Sequence, residues 1–199
     1  MLEIGISGGT YNPIHNWHLL VGEYARVQFG FHETLFIPNG NPAHKTDTLD
    51  KELRFEMVDL AVRTNPHFRA SRIEVDRQGK SYMLDTLKEL RRQYGSDARL
   101  NLIIGLDTLE PIMTWHNARE VLRMVRLLVA PRYHELADPV KIRQALPCAT
   151  EFAVIDCPTS SVSSSMIRER VQAGKSVRYL VPDAVNDMIL DKGHYRAAS

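Results

Sequence analysis

The sequence predicts an α/β fold with a doubly wound parallel sheet, and three observations predict it. Short apolar runs alternate with amphipathic stretches from one end of the chain to the other. Most of these runs are bounded by turn residues and lack in–out alternation, as strands buried on both faces do. A glycine pair, Gly8-Gly9, closes the first run and leads into a helical pattern, the layout of a strand–turn–helix unit whose turn can cradle an anion.

Taken in order, the first strand is expected over Ile4–Ser7 and the first helix from near Asn16. Over His18–Phe29 the spacing sets Leu20, Tyr24 and Val27 on one helical face, and Gly30 ends the helix. Further strands are expected over Thr34–Pro38, Phe68–Val75, Leu100–Gly105, Arg126–Ala130 and Phe152–Ile155. A second helix over Asp50–Thr64 carries Leu53, Met57, Leu60 and Ala61 along one stripe. A third over Tyr82–Tyr94 carries Met83, Leu87 and Leu90 and stops at Gly95. Asn39–Thr48, rich in Asn, Gly, Pro and Thr, reads as a mobile active-site loop. No internal repeat, low-complexity tract or long linker interrupts the pattern, so residues 1–199 are expected to form a single domain.

Composition narrows the function. Hydrophobic residues make up 44% of the chain and charged residues 25%, the balance of a soluble globular protein. A net charge of +1 provides no broad basic field for nucleic acid, so cations for an anionic ligand must be placed locally. Cys148 and Cys157 stand outside any CxxC pair, which argues against a disulfide framework or zinc ribbon and suits a reducing cytoplasm. Met1-Leu2-Glu3 lacks the basic start and apolar core of a signal peptide. No apolar run approaches the roughly 20 residues of a membrane span. The oligomeric state stays open, a homo-oligomer included.

In doubly wound sheets ligands bind beyond the carboxyl ends of the strands, where the strand order switches. The glycine turn after the first strand lies there, and His15 and His18, three apart, share one face of the first helical turn. A zinc-protease pair needs two His four apart with a Glu between, and this pair has neither. Gly174-Lys175-Ser176 ends like a P-loop, but Glu169 holds the first glycine position and the segment follows a helix. No GxGxxG follows the first strand. The phosphate site is therefore of another type.

The segment Gly9-Thr10-Tyr11-Asn12-Pro13-Ile14-His15-Asn16-Trp17-His18 resembles the GTFDPIHxGH motif of bacterial nicotinate-mononucleotide adenylyltransferases, members of the HxGH nucleotidyltransferase superfamily. Four later segments are similar to the same family in order. They are Pro38-Asn39-Gly40-Asn41-Pro42-Ala43-His44-Lys45 (PxxxPPHK), Ser81 to Leu87 (SYTxDTL), Ile104-Gly105-Leu106-Asp107 with Thr114-Trp115-His116 (GxD, then TWH), and Val162 to Arg168 (ISSTxIR). The ending Tyr179-Leu180-Val181-Pro182 also fits. Trp17 replaces the usual glycine between the histidines, Asn12 the usual aspartate, and Ala43 a proline.

This resemblance implies a Rossmann-like nucleotidyltransferase fold and transfer of the adenylyl group of ATP to nicotinate mononucleotide, with release of pyrophosphate, in NAD biosynthesis. His15 and His18 would donate hydrogen bonds to the triphosphate, beside backbone amides at Gly9, Thr10 and Tyr11. Lys45 would reach the mononucleotide phosphate as a point charge. Ser163 and Ser164 open a helix whose start, with Arg168, suits the outer phosphates; the helical part from about residue 160 would complete the ATP phosphate site. Gly105 and Asp107 would meet the adenosine ribose. Trp115 would stack on the pyridine ring, and Tyr82–Thr86 would receive its carboxylate at a helix start, favouring the nicotinate acid. Mg²⁺ would be held mainly by ATP phosphates and water, with no protein metal ligand.

Two alternatives stay open. Nicotinamide mononucleotide is the main or an additional substrate, to which Asn12 points. Or the chain is a non-catalytic nucleotide-binding protein of the same fold, to which Trp17 points. A phosphopantetheine transferase of the superfamily lacks the TWH and SYTxDTL-like segments.

Overall fold

Six apolar runs pair into one all-parallel sheet in the order β3-β2-β1-β4-β5-β6. The strands are β1 (Glu3–Gly9), β2 (Glu33–Pro38), β3 (Phe68–Ala70), β4 (Arg99–Gly105), β5 (Arg126–Ala130) and β6 (Glu151–Val154). The structure is a computed structural model that describes residues 1–41, 48–133, 137–146 and 148–196. The order reverses between β1 and β4, which pair from Glu3 opposite Arg99 to Ser7 opposite Ile103. Their carboxyl ends, Gly9 and Gly105, therefore stand side by side at the switch point.

The strands alternate faces, and both faces are apolar. Ile4, Ile6, Leu100, Leu102, Leu35 and Leu127 share one core with Leu87 and Leu90 of α3 (Met83–Tyr94) and Val121 and Leu122 of α4 (Ala118–Met124). On the other face Phe36 packs with Met57 and Val58 of α2 (Lys51–Val62), Ile167 of α6 (Ser164–Gln172) and Ile189 of α7 (Asp183–Asp191). Ile103 and Leu128 meet Trp17, Val21 and Ala25 of α1 (Asn16–Phe29). The short α5 (Pro139–Ala145) adds Ile142 to the first core. Double-sided burial of this kind explains why the strands read as continuous apolar runs. Among the described residues no helix is long and apolar enough to cross a membrane.

Three expectations are corrected in detail. The third strand ends at Ala70 rather than Val75. It is an edge strand, its pairing with β2 runs out at Phe36 opposite Ala70, and the chain then turns to bring the Glu74 side chain inward, where Thr86 donates to it at 2.8 Å. The first helix buries Trp17, Val21, Gly22 and Ala25, while Tyr24 and Val27 are exposed. The period is the expected one but its phase is shifted. Gly22 sets that phase: a Cβ there would lie 2.8 Å from the Phe36 ring, so only glycine lets the helix lie this close to β2. In α2 the buried stripe is Arg54, Met57, Val58, Ala61 and Val62, with Leu53 and Leu60 only partly covered. A buried arginine is invisible to a pattern built on apolar spacing.

Candidate active site

Beyond β1 the chain makes a tight turn that sets the first helix over the switch point. Tyr11 adopts φ +49°, in the left-handed region, and Asn12-Pro13 is a cis peptide. A bulky residue in that region costs on the order of 1–3 kcal/mol and persists only where its surroundings over-determine it. Here the Tyr11 ring is buried and its hydroxyl donates to the Ser7 carbonyl at 2.7 Å, with Ser7 Oγ at 2.8 Å. Desolvation raises the Tyr11 phenol far above its ordinary range, so it stays a neutral hydrogen-bonding anchor.

His15 caps α1 from an extended conformation, and His18 lies one turn on. Their rings stack with centroids 3.6 Å apart and 17° between planes; the Tyr11 ring meets His18 edge-on at 5.0 Å. The His15 backbone N–H donates to His18 Nδ1 at 3.2 Å. That bond requires an unprotonated Nδ1, so the neutral His18 carries its proton on Nε2, as a donor. His15 Nδ1 is buried with no hydrogen-bond partner among the described residues. Burial, reinforced by the nearby Arg132 charge, pushes His15 down to about 3. Burial, then His15 and Arg132, hold His18 well below 6.5. Both rings are therefore neutral around pH 7.

The start of α6 is fastened to the same turn. Ser163 caps it, its hydroxyl accepting from the Met166 N–H at 3.2 Å. Ser164 Oγ donates to the Pro13 carbonyl at 2.8 Å, and Arg168 Nη1 to the Asn12 carbonyl at 2.9 Å. The Asn16 N–H donates to Leu180 O at 2.9 Å and its amide Nδ2 to Tyr179 O at 2.7 Å. Two helix N-termini, α1 and α6, thus converge on Asn12-Pro13, each a place where backbone N–H groups favour an anion.

At the end of β4, Gly105 lies against its own neighbour: a Cβ there would overlap Asp107 Oδ1. Asp107 is exposed and is held by Arg132, with Nη2 to Oδ2 at 2.8 Å and Nε to Oδ1 at 3.3 Å. Opposite, Tyr82 is the N-cap of α3 and forms no side-chain cap bond, and its ring stands 4.4 Å from that of His116. Trp115 is partly buried against the first core. Thr86 faces inward: it is fully buried, its N–H donates to Tyr82 O at 3.3 Å, and its hydroxyl lies between Glu74 and Arg77. Its polar groups are committed within the protein, and it supports the helix start from behind. Gly9 closes β1, and Thr10 and Tyr11 follow on the turn. Lys45 lies outside the described residues.

Arg132 and His116 were not singled out by the sequence reading. Arg132 is two residues beyond the carboxyl end of β5, the edge where ligands of such sheets bind, and that rule would have found it. His116 sat inside the TWH match and needed only to be weighed beside Trp115. Among the described residues no group of three or more His, Cys, Asp or Glu could hold a metal ion.

The chain matches the family described as cytidylyltransferase-like over residues 6–170. It is 39% identical over 199 residues to a probable nicotinate-nucleotide adenylyltransferase of Moorella thermoacetica, covering 98% of this chain and 92% of that one. It is 37% identical over 198 residues to one of Dehalococcoides mccartyi, covering 98% and 97%. The fold is shared with Plasmodium falciparum nicotinic acid mononucleotide adenylyltransferase complexed with NaAD, at TM-score 0.83 and 17% identity over 98% of each chain. The turn with its stacked histidines, the α6 anchor and the near-full-length matches lead to one assignment. The chain belongs to the cytidylyltransferase-like nucleotidyltransferases and, within them, to the nicotinate-nucleotide adenylyltransferase family.

Proposed function

We propose that the protein transfers the adenylyl group of ATP to nicotinate mononucleotide, giving nicotinate adenine dinucleotide and pyrophosphate. The observation that carries this is the convergence of His15, His18, Ser164 and Arg168 on the Asn12-Pro13 turn. The mononucleotide phosphate attacks the α-phosphorus in line and pyrophosphate leaves, so the protein must hold two anions together and offset their repulsion. Positioning and electrostatic stabilisation suffice, with no covalent nucleophile.

In this reading the neutral His18 donates from Nε2 to the triphosphate, and His15 and the amides of Gly9, Thr10 and Tyr11 complete the cradle. Arg168 and the α6 start take the outer phosphates, Asp107 the ribose hydroxyls, and Lys45 the mononucleotide phosphate. Trp115 and Tyr82 flank the pyridine ring. The uncapped start of α3 at Tyr82 suits the nicotinate carboxylate and supports the preference for the acid over the amide. A divalent cation, Mg²⁺ in this proposal, would be held by phosphate oxygens and water and would neutralise charge on the leaving pyrophosphate. We read residues 1–199 as one domain: α6 and α7 share the core of Tyr11, Ile14 and Phe36, and through α6 the part from about 160 completes the phosphate site.

The test is pyrophosphate release from ATP and Mg²⁺ with nicotinate or nicotinamide mononucleotide. Release that depends on the nicotinate form is expected, and a kcat/KM at least about tenfold higher for the acid, some 1.4 kcal/mol in the transition state, marks the preference. Equal values for the two would overturn the specificity. No release with either would overturn the reaction.

A further inference from the structure

Arg54 is 1% exposed, in the middle of α2. Its guanidinium reaches three backbone carbonyls on three different segments: Nη1 to Thr10 at 2.8 Å, Nε to Leu49 at 2.9 Å and Nη2 to Gly40 at 3.4 Å. It forms no ion pair with a carboxylate among the described residues. Burial lowers its pKa, with Tyr195 and Asp50 opposing, yet a guanidinium stays charged throughout the physiological range. A buried, unpaired charge is expensive to keep. A hydrophobic residue would serve packing alone at this position, so the cost calls for a reason.

The three carbonyls supply it. Thr10 belongs to the phosphate turn. Gly40 lies on the segment that leaves β2, beside Asn41, whose N–H donates to Ser81 Oγ at 3.4 Å immediately before Tyr82. Gly40 is also pressed against Glu74, since a Cβ there would overlap the Glu74 carbonyl oxygen, and Glu74 accepts from Thr86 at the α3 start. Leu49 donates its N–H to Asn12 Oδ1 at 3.2 Å, on the phosphate turn again. One guanidinium thus spans the ATP side and the pyridine side. A trans peptide points its C=O and N–H in opposite directions, so drawing the Thr10 carbonyl inward also fixes the direction of the Tyr11 N–H.

We propose that Arg54 is a positioning residue that sets the spacing between the phosphate turn and the α3 side of the site, and so the distance between the two reacting substrates. The inference rests on the adenylyl-transfer reading. In-line attack needs the reacting atoms about 3–3.5 Å apart, and a misplacement of about 1 Å costs on the order of a hundredfold. Each substrate touches its own side, so loosening the brace leaves separate binding intact and slows transfer.

The experiment compares wild type with Arg54→Lys, which keeps the charge but loses the planar fork. Turnover is measured well below each melting temperature, beside the Kd of ATP alone and of nicotinate mononucleotide alone by calorimetry. Gly40→Ala, which displaces the same segment against Glu74, is the second variant and carries the test if Arg54→Lys does not fold. The expected result is a kcat lowered roughly 10- to 100-fold with both Kd values within about threefold of wild type. A kcat within about twofold of wild type, or Kd values that rise in proportion to the loss, overturns the assignment to Arg54. A wild-type chain that releases no pyrophosphate overturns the reaction itself, and the brace with it.

Discussion

Arg132 holds the carboxylate of Asp107 with two hydrogen bonds, Nη2 to Oδ2 at 2.8 Å and Nε to Oδ1 at 3.3 Å. The pair is partly exposed, so it adds little stability. It keeps a cation at the switch point whose field reaches His15 and His18. In the proposed reaction a bound triphosphate would offer Arg132 a better partner and free Asp107 for the ribose. Arg132→Met should therefore raise KM for ATP roughly 10- to 150-fold, the loss of one charged hydrogen bond worth about 1.5–3 kcal/mol. In the same variant both imidazole pKa values should move up yet stay below 6.5, because burial is the larger cause; an NMR titration of the free protein checks this.

The histidine pair gives the fold an acid limit. His15 titrates near 3 in the folded chain, against about 6.5 when unfolded. Between these values the unfolded chain binds more protons, so stability is full above about pH 6.5 and falls as the pH drops toward 3. One such group contributes a slope of about 1.4 kcal/mol per pH unit inside that window. His18, also lowered, adds in the same direction. Urea denaturation of wild type and His15→Asn at pH 7, 6, 5 and 4 should give curves that converge as the pH falls. Parallel curves would mean that His15 is not held neutral by the fold.

His18 should also carry turnover. His18→Ala is expected to keep the far-UV spectrum and cut kcat at least about a hundredfold, the scale on which loss of a preorganised donor acts. Near-normal turnover would remove His18 from the triphosphate.

The C-terminal helices pack into the core, and α6 is fastened to the Asn12-Pro13 turn; in the proposed function they complete the phosphate site. Ile167, Val171, Val185 and Ile189 are buried with Tyr11, Ile14 and Phe36. A chain ending at residue 159 strips that face and leaves the Asn12 and Pro13 carbonyls without Arg168 and Ser164. It should lack a cooperative melt and fail to bind ATP. Arg168→Gln in the full chain should melt near wild type and raise KM for ATP. A truncated chain that melts cooperatively and binds ATP would split the protein into two domains.

Much of this was legible in the sequence, for physical reasons. Strands buried on both faces announce themselves as apolar runs, and five of the six were placed to within about two residues. Gly30 and Gly95 end α1 and α3 as read, with Gly30 at φ +67°. The glycines and histidines of the turn after β1 stood out because they are adjacent in the chain, whereas Ser164 and Arg168 reach that turn from 151 and 156 residues away. What was not legible depends on distance. Arg54 joins segments 44, 14 and 5 residues away, Arg132 meets Asp107 across 25, and Tyr195 donates to Asn12 across 183. No local spacing encodes such pairings. The inward turn of Thr86 was missed because a helix-start motif does not state which side of the first turn faces the ligand.

Trp17, in place of the glycine usual between the two histidines, is the departure most exposed to a direct test. On the helix it lies 100° from position 18, so it leaves by another side than the stacked pair. The indole is 7% exposed and packs with Val21, Ala25, Phe31, Ile103 and Leu128 in the core beneath α1. It therefore anchors the helix, and in the proposed function it stands clear of the phosphates. Trp17→Ala should cost about 3–5 kcal/mol in urea denaturation, as deletion of a buried aromatic does. Trp17→Phe keeps most of the packing, so its kcat and its KM for ATP should stay within about twofold of wild type. If Trp17→Phe instead binds ATP markedly tighter or turns over faster, the indole restricts the approach of the phosphates, and the substitution is a brake on the site rather than a piece of the core.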